Sequence, residues 1–316
     1  MEIESKIKEK VLLKELTTFK IGGEARFFIE IKEKEELVDT YKWAREKKIN
    51  IHILGGGSNL LISDQGVDGL VIIFKNNKCE TKGVRLGCGA GATLSQATSL
   101  AISNNLSGLE WTSGIPRATI GGAVRGNAEA FEEPMSKIVE TVEVFNIKKK
   151  RFEIYSNSMC GFTYRNSIFK KNKNLIIWNV VLKLEKKPQK KIRAKVEKSL
   201  NFRNERYPKL PSAGSVFENI NPDIVKKSNE LLFERELKEK IGREGKISAG
   251  LIIEMAGLKG KTMGGAKVSL EHANHIVNTG NATAEDVVML ISYIKQQVRD
   301  RFKIQLLEEI QYLGFD

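Results

Sequence analysis

Residues 50–61 read NIHILGGGSNLL, a short apolar run followed at once by three glycines, a serine and an asparagine. Residues 50–54 have the length and flanking punctuation of a buried strand, and Gly55, Gly56, Gly57, Ser58 and Asn59 form the loop that leaves it. Three glycines let backbone N–H groups come close to a bound group, and Ser58 and Asn59 add side-chain donors. Those are the requirements for holding a pyrophosphate. The run is not the dinucleotide fingerprint GxGxxG, no helix with an apolar stripe follows it directly, and a tight turn explains it equally well. Outward from the loop, residues 33–48 set Leu37, Tyr41 and Ala44 at helical spacing, and GLVIIF at 69–74 reads as another strand. The opening portion therefore predicts a small α/β unit of strands flanking a helix.

From about 75 to 185 short apolar runs such as TVEVFNI and LIIWNVVLKL alternate with glycine-rich loops, and only residues 93–103 read as a helix. That texture predicts an α+β region with a mixed or antiparallel sheet. A basic amphipathic helix is expected at 191–206, ended by Tyr207-Pro208, then a loop at 211–217 leading into a strand. Residues 283–302 give the clearest helix. Thr283 is its N-cap with Asp286 three residues on, and Val287, Leu290, Ile291, Ile294, Val298 and Phe302 make one apolar stripe. The segment IQLLEEIQYLG at 304–314 reads as a strand.

The chain has 316 residues, 41% of them hydrophobic, enough for two or three domains or one large one. The start, MEIESKIKEK, is charged and is not a signal peptide. No apolar stretch approaches the roughly 20 residues that cross a bilayer. The three cysteines, Cys79, Cys88 and Cys160, are odd in number and lack CxxC spacing, which argues against a disulfide framework or a zinc site and for a reducing cytosol. The histidines (His52, His272, His275) lack metal-ligand spacing, and no metal is expected. The net charge of +13 is local: residues 148–209 hold 19 basic and 4 acidic residues. A solvated lysine-rich surface explains this; the alternative is a field that attracts a polyanion such as a dinucleotide or nucleotide-sugar. Aromatic interleaving and an arginine preference, which nucleic-acid binding would favour, are both missing.

Among single motifs, the block from Gly114 to Ala123 (GIPRATIGGA) is the stronger glycine cluster, because no folding purpose is evident for it. Gly87-Cys88-Gly89-Ala90-Gly91 is explained by a strand-to-helix turn. In GFTYRNS at 161–167, Arg165 between aromatic and small polar residues suits an oxyanion clamp. PSAGSVF at 211–217 offers Ser215 beside a glycine, but it is not GxSxG, and a turn or capping serine explains it better. Glu308 and Glu309 are neighbours in a strand pattern, so one is expected to be buried and the other solvated. Burial favours the protonated form of a carboxyl and would let it act as an acid.

In order along the chain, TFKIGG (18–23), LGGGSNLL (54–61), GLEWTSGIP (108–116), IGGAV (120–124), TYRNSIFK (163–170), PSAGSVF (211–217), SAGLIIEMAGLKGKTMGGAKVS (248–269), HANHIVN (272–278) and the final LLEEI together resemble one family over nearly the full chain. The family is UDP-N-acetylenolpyruvoylglucosamine reductase, also called UDP-N-acetylmuramate dehydrogenase. The short stretch between Arg165 and Ser215 resembles the subgroup without the inserted tyrosine-bearing loop. The resemblance implies an α+β fold: a two-part FAD-binding region of the vanillyl-alcohol-oxidase (PCMH) type plus a C-terminal α+β substrate domain. The implied boundaries are 1–75 for the first FAD-binding subdomain, with a returning strand at 304–316, then 76–195 for the second and 196–303 for the substrate domain.

The resemblance further implies a cytoplasmic monomer without nucleic-acid or membrane partners, which reduces UDP-N-acetylglucosamine enolpyruvate to UDP-N-acetylmuramate with FAD and NADPH. Ser215 resembles the proton donor to C2, Glu309 its acidic partner, and Arg165 the cation for the enolpyruvyl carboxylate. FAD contacts are implied at Gly55, Gly56, Gly57, Ser58, Asn59, Leu60, Ser113, Gly114, Pro116, Thr119, Gly121, Gly122 and Asn127, and substrate contacts at Tyr164, Lys209, Asn219 and His272. The pattern departs at Arg117-Ala118, where a small pair is usual and a bulky cation now stands where flavin phosphates should approach. It departs also at Asn127-Ala128-Glu129-Ala130, at Glu271 and at Gln311. Two other readings are weighed. An FAD oxidase of alcohols or hydroxy acids would explain the glycine loops but not PSAGSVF or the terminal glutamate. A basic binding protein for nucleic acid or an acidic polymer is supported by charge alone.

Overall fold

The helix expected at 33–48 forms as Lys34–Glu46, closed at its start by a reciprocal capping box between Glu33 and Glu36 and burying Leu37, Trp43 and Ala44. The computed structural model describes residues 3–242 and 245–315. Its contacts divide the chain into two units. One comprises the segment ending at Val11, Ala25–Gly56 and Asp68–Glu205; the other comprises Leu12–Glu24, Gly57–Val67 and the chain from Arg206 onward.

The first unit carries two sheets. A four-stranded sheet has the order Lys8–Leu12, Glu24–Ile31, Val67–Phe74, Ile51–Leu54, with the last two strands parallel. A five-stranded antiparallel sheet has the order Arg151–Ser156, Val139–Asn146, Leu175–Lys183, Arg85–Gly89, Cys79–Lys82. The run LIIW lacks strand alternation because Leu175–Lys183 is the central strand, and Leu175, Ile176, Ile177 and Trp178 are all buried. Trp178 meets Phe74 edge-on at 5.4 Å, one aromatic contact within a core that runs from Ile29, Leu37 and Ile72 to Val142, Phe145 and Val180. Each such side chain contributes roughly 1.5–3 kcal/mol through burial.

In the second unit an antiparallel sheet has the order Ser212–Ser215, His275–Asn278, Ala266–Val268, Thr262–Met263. Helix Ala284–Phe302 starts at the expected Thr283 cap, with Asp286 completing the box, and buries Val287, Leu290, Ile291, Ile294 and Val298. Phe302 is only partly buried against that core.

Several expectations need correction. PSAGSVF is itself a strand over Ser212–Ser215, because its backbone pairs with His275–Asn278. The segment expected as one strand at 304–314 is regular only over Gln311–Leu313, which pairs in parallel with Leu60–Ile62; Glu308 makes a single bridge with Phe217. The region 75–185 holds two further short helices, Ile120–Gly126 and Ile168–Lys171. The basic helix, Gln189–Arg206, buries only Ile192 and Ser199, so its pattern is charged nearly all round. Much of the basic segment is solvated surface: Glu153, for example, takes both Lys149 and Arg151, and these bonds pull its carboxyl down to about 2. The implied three-part division differs from the two contact units because residues 12–24 and 57–67 associate with the later chain. As a division by role it stays a proposal. Among the described residues no helix is long and apolar enough to cross a membrane.

Candidate active site

In the first unit the two glycine blocks come together. A Cβ on Gly56 would lie 1.7 Å from the Arg117 carbonyl oxygen, and one on Gly55 would lie 2.9 Å from Thr119 Oγ1. Only glycine permits that approach of one backbone to another. Among the described residues the amides of Gly55 and Gly56 donate to no backbone carbonyl, so two donors are available beside a guanidinium. That combination fits a diphosphate-bearing cofactor. Arg117, the departure expected to obstruct it, takes a left-handed backbone (φ 57°) and lays its Nε on Gly56 O at 3.3 Å. The cation therefore runs along the glycine loop.

The second block does have a folding purpose, contrary to expectation. Thr119 caps Ile120–Gly126 by accepting from Gly122 N, and Gly121 N donates to Ala90 O at 2.9 Å. A Cβ on Gly121 would press on Ala90 at 2.9 Å. Gly114 has φ 82°, and a Cβ there would meet Arg203 Cδ at 2.8 Å, whose Nη2 donates to Trp111 O at 3.2 Å. Ser113 is half-buried beside it and Pro116 exposed. Asn127 ends the helix in a left-handed conformation, and its side chain bonds Thr163 O and Ser136 N, both at 2.9 Å. Its amide is thus committed to structure, and it supplies the turn that the altered Asn127–Ala130 stretch put in question.

Tyr164 and Arg165 occupy the tip of a tight turn closed by reciprocal bonds of 3.1 Å between Thr163 and Asn166. Arg165 has φ 52°, a strained conformation for a residue with a side chain. Its carbonyl accepts from Lys170 Nζ at 3.0 Å and its guanidinium lies 5.8 Å from the Tyr164 ring. Such strain concentrates where a side chain must be aimed.

Ser215 and Glu309 are brought together within the second unit. Gly214 takes φ 79°, and Ser215 pairs with His275. Asn274, only 3% exposed, clamps the residues that follow. Its carbonyl accepts from Val216 N (2.8 Å), its Oδ1 from Phe217 N (2.9 Å), and its Nδ2 donates to Phe217 O (2.9 Å). On the other side Glu309 N donates to Val216 O (2.8 Å) and Glu218 N to Leu307 O (2.9 Å). One paired residue, Val216, therefore separates the serine from the glutamate's backbone. Among the described residues none hydrogen-bonds the Ser215 hydroxyl.

Glu308 and Glu309 are both half-buried, so the expected alternation fails; regular pairing ends at that single bridge. Their commitments differ. Glu308 is held by Lys295 Nζ and by the Tyr312 hydroxyl, each at 2.6 Å, and burial together with this carboxylate raises the Tyr312 phenol. The Glu309 carbonyl accepts from Asn59 Nδ2 (3.3 Å) and from Gln311 Nε2 (3.2 Å), so the departure at Gln311 tethers the glutamate's own backbone.

Gly57 O accepts from Thr18 N (3.0 Å), Asn59 O accepts from Gln311 N (3.1 Å), and Leu60 opens the strand Leu60–Ile62. Ser58 is half-buried between them. Of the implied substrate residues, Asn219 accepts from Ala249 N at 3.2 Å, and Lys209 is exposed. His272 accepts from Asn274 N through Nδ1 at 3.2 Å, and burial lowers its pKa. Glu271 bonds Ser269 within the same loop at 2.7 Å. Sequence reasoning missed Asn274 and Thr18, whose hydroxyl reaches Ser212 O at 2.7 Å. Both lie inside matched blocks, which was the signal.

A family model described as UDP-N-acetylenolpyruvoylglucosamine reductase, C-terminal domain, matches residues 205–313, and one described as an FAD binding domain matches residues 25–148. A UDP-N-acetylenolpyruvoylglucosamine reductase of Caldanaerobacter subterraneus subsp. tengcongensis is 36% identical over 304 residues, covering 96% of this chain and 92% of the relative. One from Solibacter usitatus is 35% identical over 304 residues, covering 94% of each. The crystal structure of the Thermus caldophilus UDP-N-acetylenolpyruvylglucosamine reductase matches with a TM-score of 0.77 at 34% identity, covering 97% of this chain and 99% of that one. The chain belongs to the UDP-N-acetylenolpyruvoylglucosamine reductase family.

Proposed function

We propose that the protein reduces UDP-N-acetylglucosamine enolpyruvate to UDP-N-acetylmuramate, an FAD-dependent oxidoreductase reaction of peptidoglycan precursor synthesis with NADPH as reductant. Family membership and the FAD binding domain match support the cofactor and the reaction class. The observation that carries the reading onto residues is the adjacency of Ser215 and Glu309 across Val216, while Glu308 is drawn off by Lys295 and Tyr312.

The reaction adds two hydrogens across the C2–C3 double bond of an enol ether. FAD, held at the glycine loops, would supply one of them to C3 as a hydride drawn from NADPH. Ser215 gives the proton to C2. A serine hydroxyl is a weak acid in water, so it needs a fixed position and an acidic partner. Asn274 supports the first by locking the backbone after the serine, and Glu309 supplies the second. Arg165 holds the enolpyruvyl carboxylate, where negative charge gathers as C3 is reduced, and stabilises it through a planar fork. Gly55 and Gly56, with Thr119, Gly121 and Gly122 framing them, hold the diphosphate of the cofactor. Tyr164, Lys209, Asn219 and His272 serve the nucleotide-sugar. The protein is expected to work as a monomer in the cytoplasm.

An anaerobic stopped-flow experiment tests the reading: NADPH-reduced protein is mixed with UDP-N-acetylglucosamine enolpyruvate. Rapid return of the oxidised flavin spectrum with formation of UDP-N-acetylmuramate is expected; a flavin that stays reduced overturns it.

A further inference from the structure

Cys79 and Cys88 lie directly opposite each other on the antiparallel strands Cys79–Lys82 and Arg85–Gly89. Gly89 N donates to Lys78 O at 2.9 Å, a bond that flanks the Cys79–Cys88 pair on its open side. By the alternation of an antiparallel ladder that pair is of the non-hydrogen-bonded kind, with Cα atoms about 4.5 Å apart and side chains at their closest. That separation falls within the roughly 4.4–6.8 Å that a disulfide accepts. The two sulfurs are 2.6 Å apart, and both residues are free thiols. Sequence spacing gave no hint of this, because a hairpin, and not a CxxC turn, makes the juxtaposition.

We propose that Cys79 and Cys88 form a reversible dithiol–disulfide site that reacts with low-molecular-weight disulfides. Cys79 is the half-exposed member and attacks; Cys88, 3% exposed, resolves. The Cys79 thiolate displaces one thiolate from the reagent and forms a mixed disulfide. The Cys88 sulfur then attacks the Cys79 sulfur and displaces the second thiolate. The two cysteines lose two electrons, the reagent gains them, and the two cysteine protons go to the released thiolates. Access alone sets this order, since the reagent reaches the half-exposed Cys79 and not the buried Cys88. Cys160 is excluded from the exchange: it is fully buried, donates to Ser156 O at 3.2 Å, and burial pushes its thiol up to about 11. The Arg85–Gly89 strand runs directly into Ala90, whose carbonyl takes the Gly121 amide. The bond would therefore pin an edge strand to the element that supports the second glycine block.

The test uses the full chain with its flavin, incubated with oxidised glutathione, then denatured for thiol counting and intact mass. The expected result is a fall from three thiols to one, a mass lower by two hydrogens, and full reversal by dithiothreitol. Cys160→Ser should respond identically, and Cys88→Ser should accumulate a glutathione adduct on Cys79. An unchanged thiol count, a lasting glutathione adduct on the unmutated chain, or loss of thiols into covalent dimers would each overturn the assignment.

Discussion

In the first unit the residues of the candidate cofactor loops act through what they lack. Gly55 and Gly56 admit the backbone of Arg117 to Thr119 to distances that any Cβ would forbid. In the second unit the residues act through what their neighbours donate: Ser215 and Glu309 are held by Asn274, Asn59 and Gln311, all side-chain amides bonding to backbone. One region is defined by steric exclusion and tolerates no added volume, whereas the other is defined by hydrogen bonds and tolerates no lost partner. Substitutions in the two should therefore fail in different ways.

Ser215→Ala separates the regions most sharply. Reduction of flavin by NADPH should be unchanged, while reoxidation by the enolpyruvyl substrate should slow by about 10²–10⁴, the usual weight of a positioned acid. Normal reoxidation would remove Ser215 from the mechanism. Glu309→Gln should slow the same half-reaction to a similar extent, whereas Glu308→Gln should cost only a few-fold and some stability, through the lost Lys295 and Tyr312 bonds. If Glu308→Gln proves the damaging change, the register is off by one.

Gly56→Ala attacks the other side of the comparison. The new Cβ meets the Arg117 carbonyl, and overpacking of that kind costs about 1–3 kcal/mol. Flavin content of the purified protein should fall while the isolated second-unit site is unaltered; full flavin retention would show that the loops do not touch the cofactor. Asn274→Ala leaves the Phe217 amide and carbonyl unpaired in a buried site, a loss of about 1–3 kcal/mol. A Tm drop with kcat reduced and KM for NADPH unchanged would match a positioning role, and Asn274→Asp should restore part of it.

The smallest effect concerns acid stability. Burial holds His272 below its ordinary value of 6.5. As pH falls through that value the unfolded chain takes up a proton that the native state resists, so stability is lost from about 6.5 downward and is unaffected above it. His272→Asn should remove this share of acid sensitivity, seen as a smaller Tm difference between about pH 7.5 and pH 5.5; an unchanged difference would mean His272 does not contribute.

Regular periodicity made the helices at Lys34–Glu46, Leu94–Ser103 and Ala284–Phe302 legible, with the cap at Thr283, whereas the cap at Thr93 emerges only from the structure. The short strand at Ser212–Ser215 was not, because a glycine and two serines carry no strand alternation and the partner lies at His275–Asn278. The terminal segment misled for the converse reason: its apolar residues Ile304, Leu306 and Ile310 alternate into the core, yet most of the segment pairs with nothing regular. Ser215, Glu309 and Arg165 were visible only through ordered resemblance, since local spacing ranked the glycine loops above them. The clamp by Asn274 was missed, although HANHIVN is a matched block, because nothing local distinguishes a buried amide that bonds backbone from an exposed one.

The parallel pairing of Leu60–Ile62 with Gln311–Leu313 carries a consequence for how the chain reaches its native state. Asn59 and Glu309 meet across 250 positions, and Leu61 enters the second core with Phe19 and Ile21 and a majority of residues from beyond Arg206. Closing so long a loop is entropically costly before any contact compensates it, and such contacts form late and slowly. On a ribosome the segments 12–24 and 57–67 emerge early and must wait, apolar and unsatisfied, for partners made at the far end of the message. Chaperone dependence during synthesis is the expected signature of that arrangement.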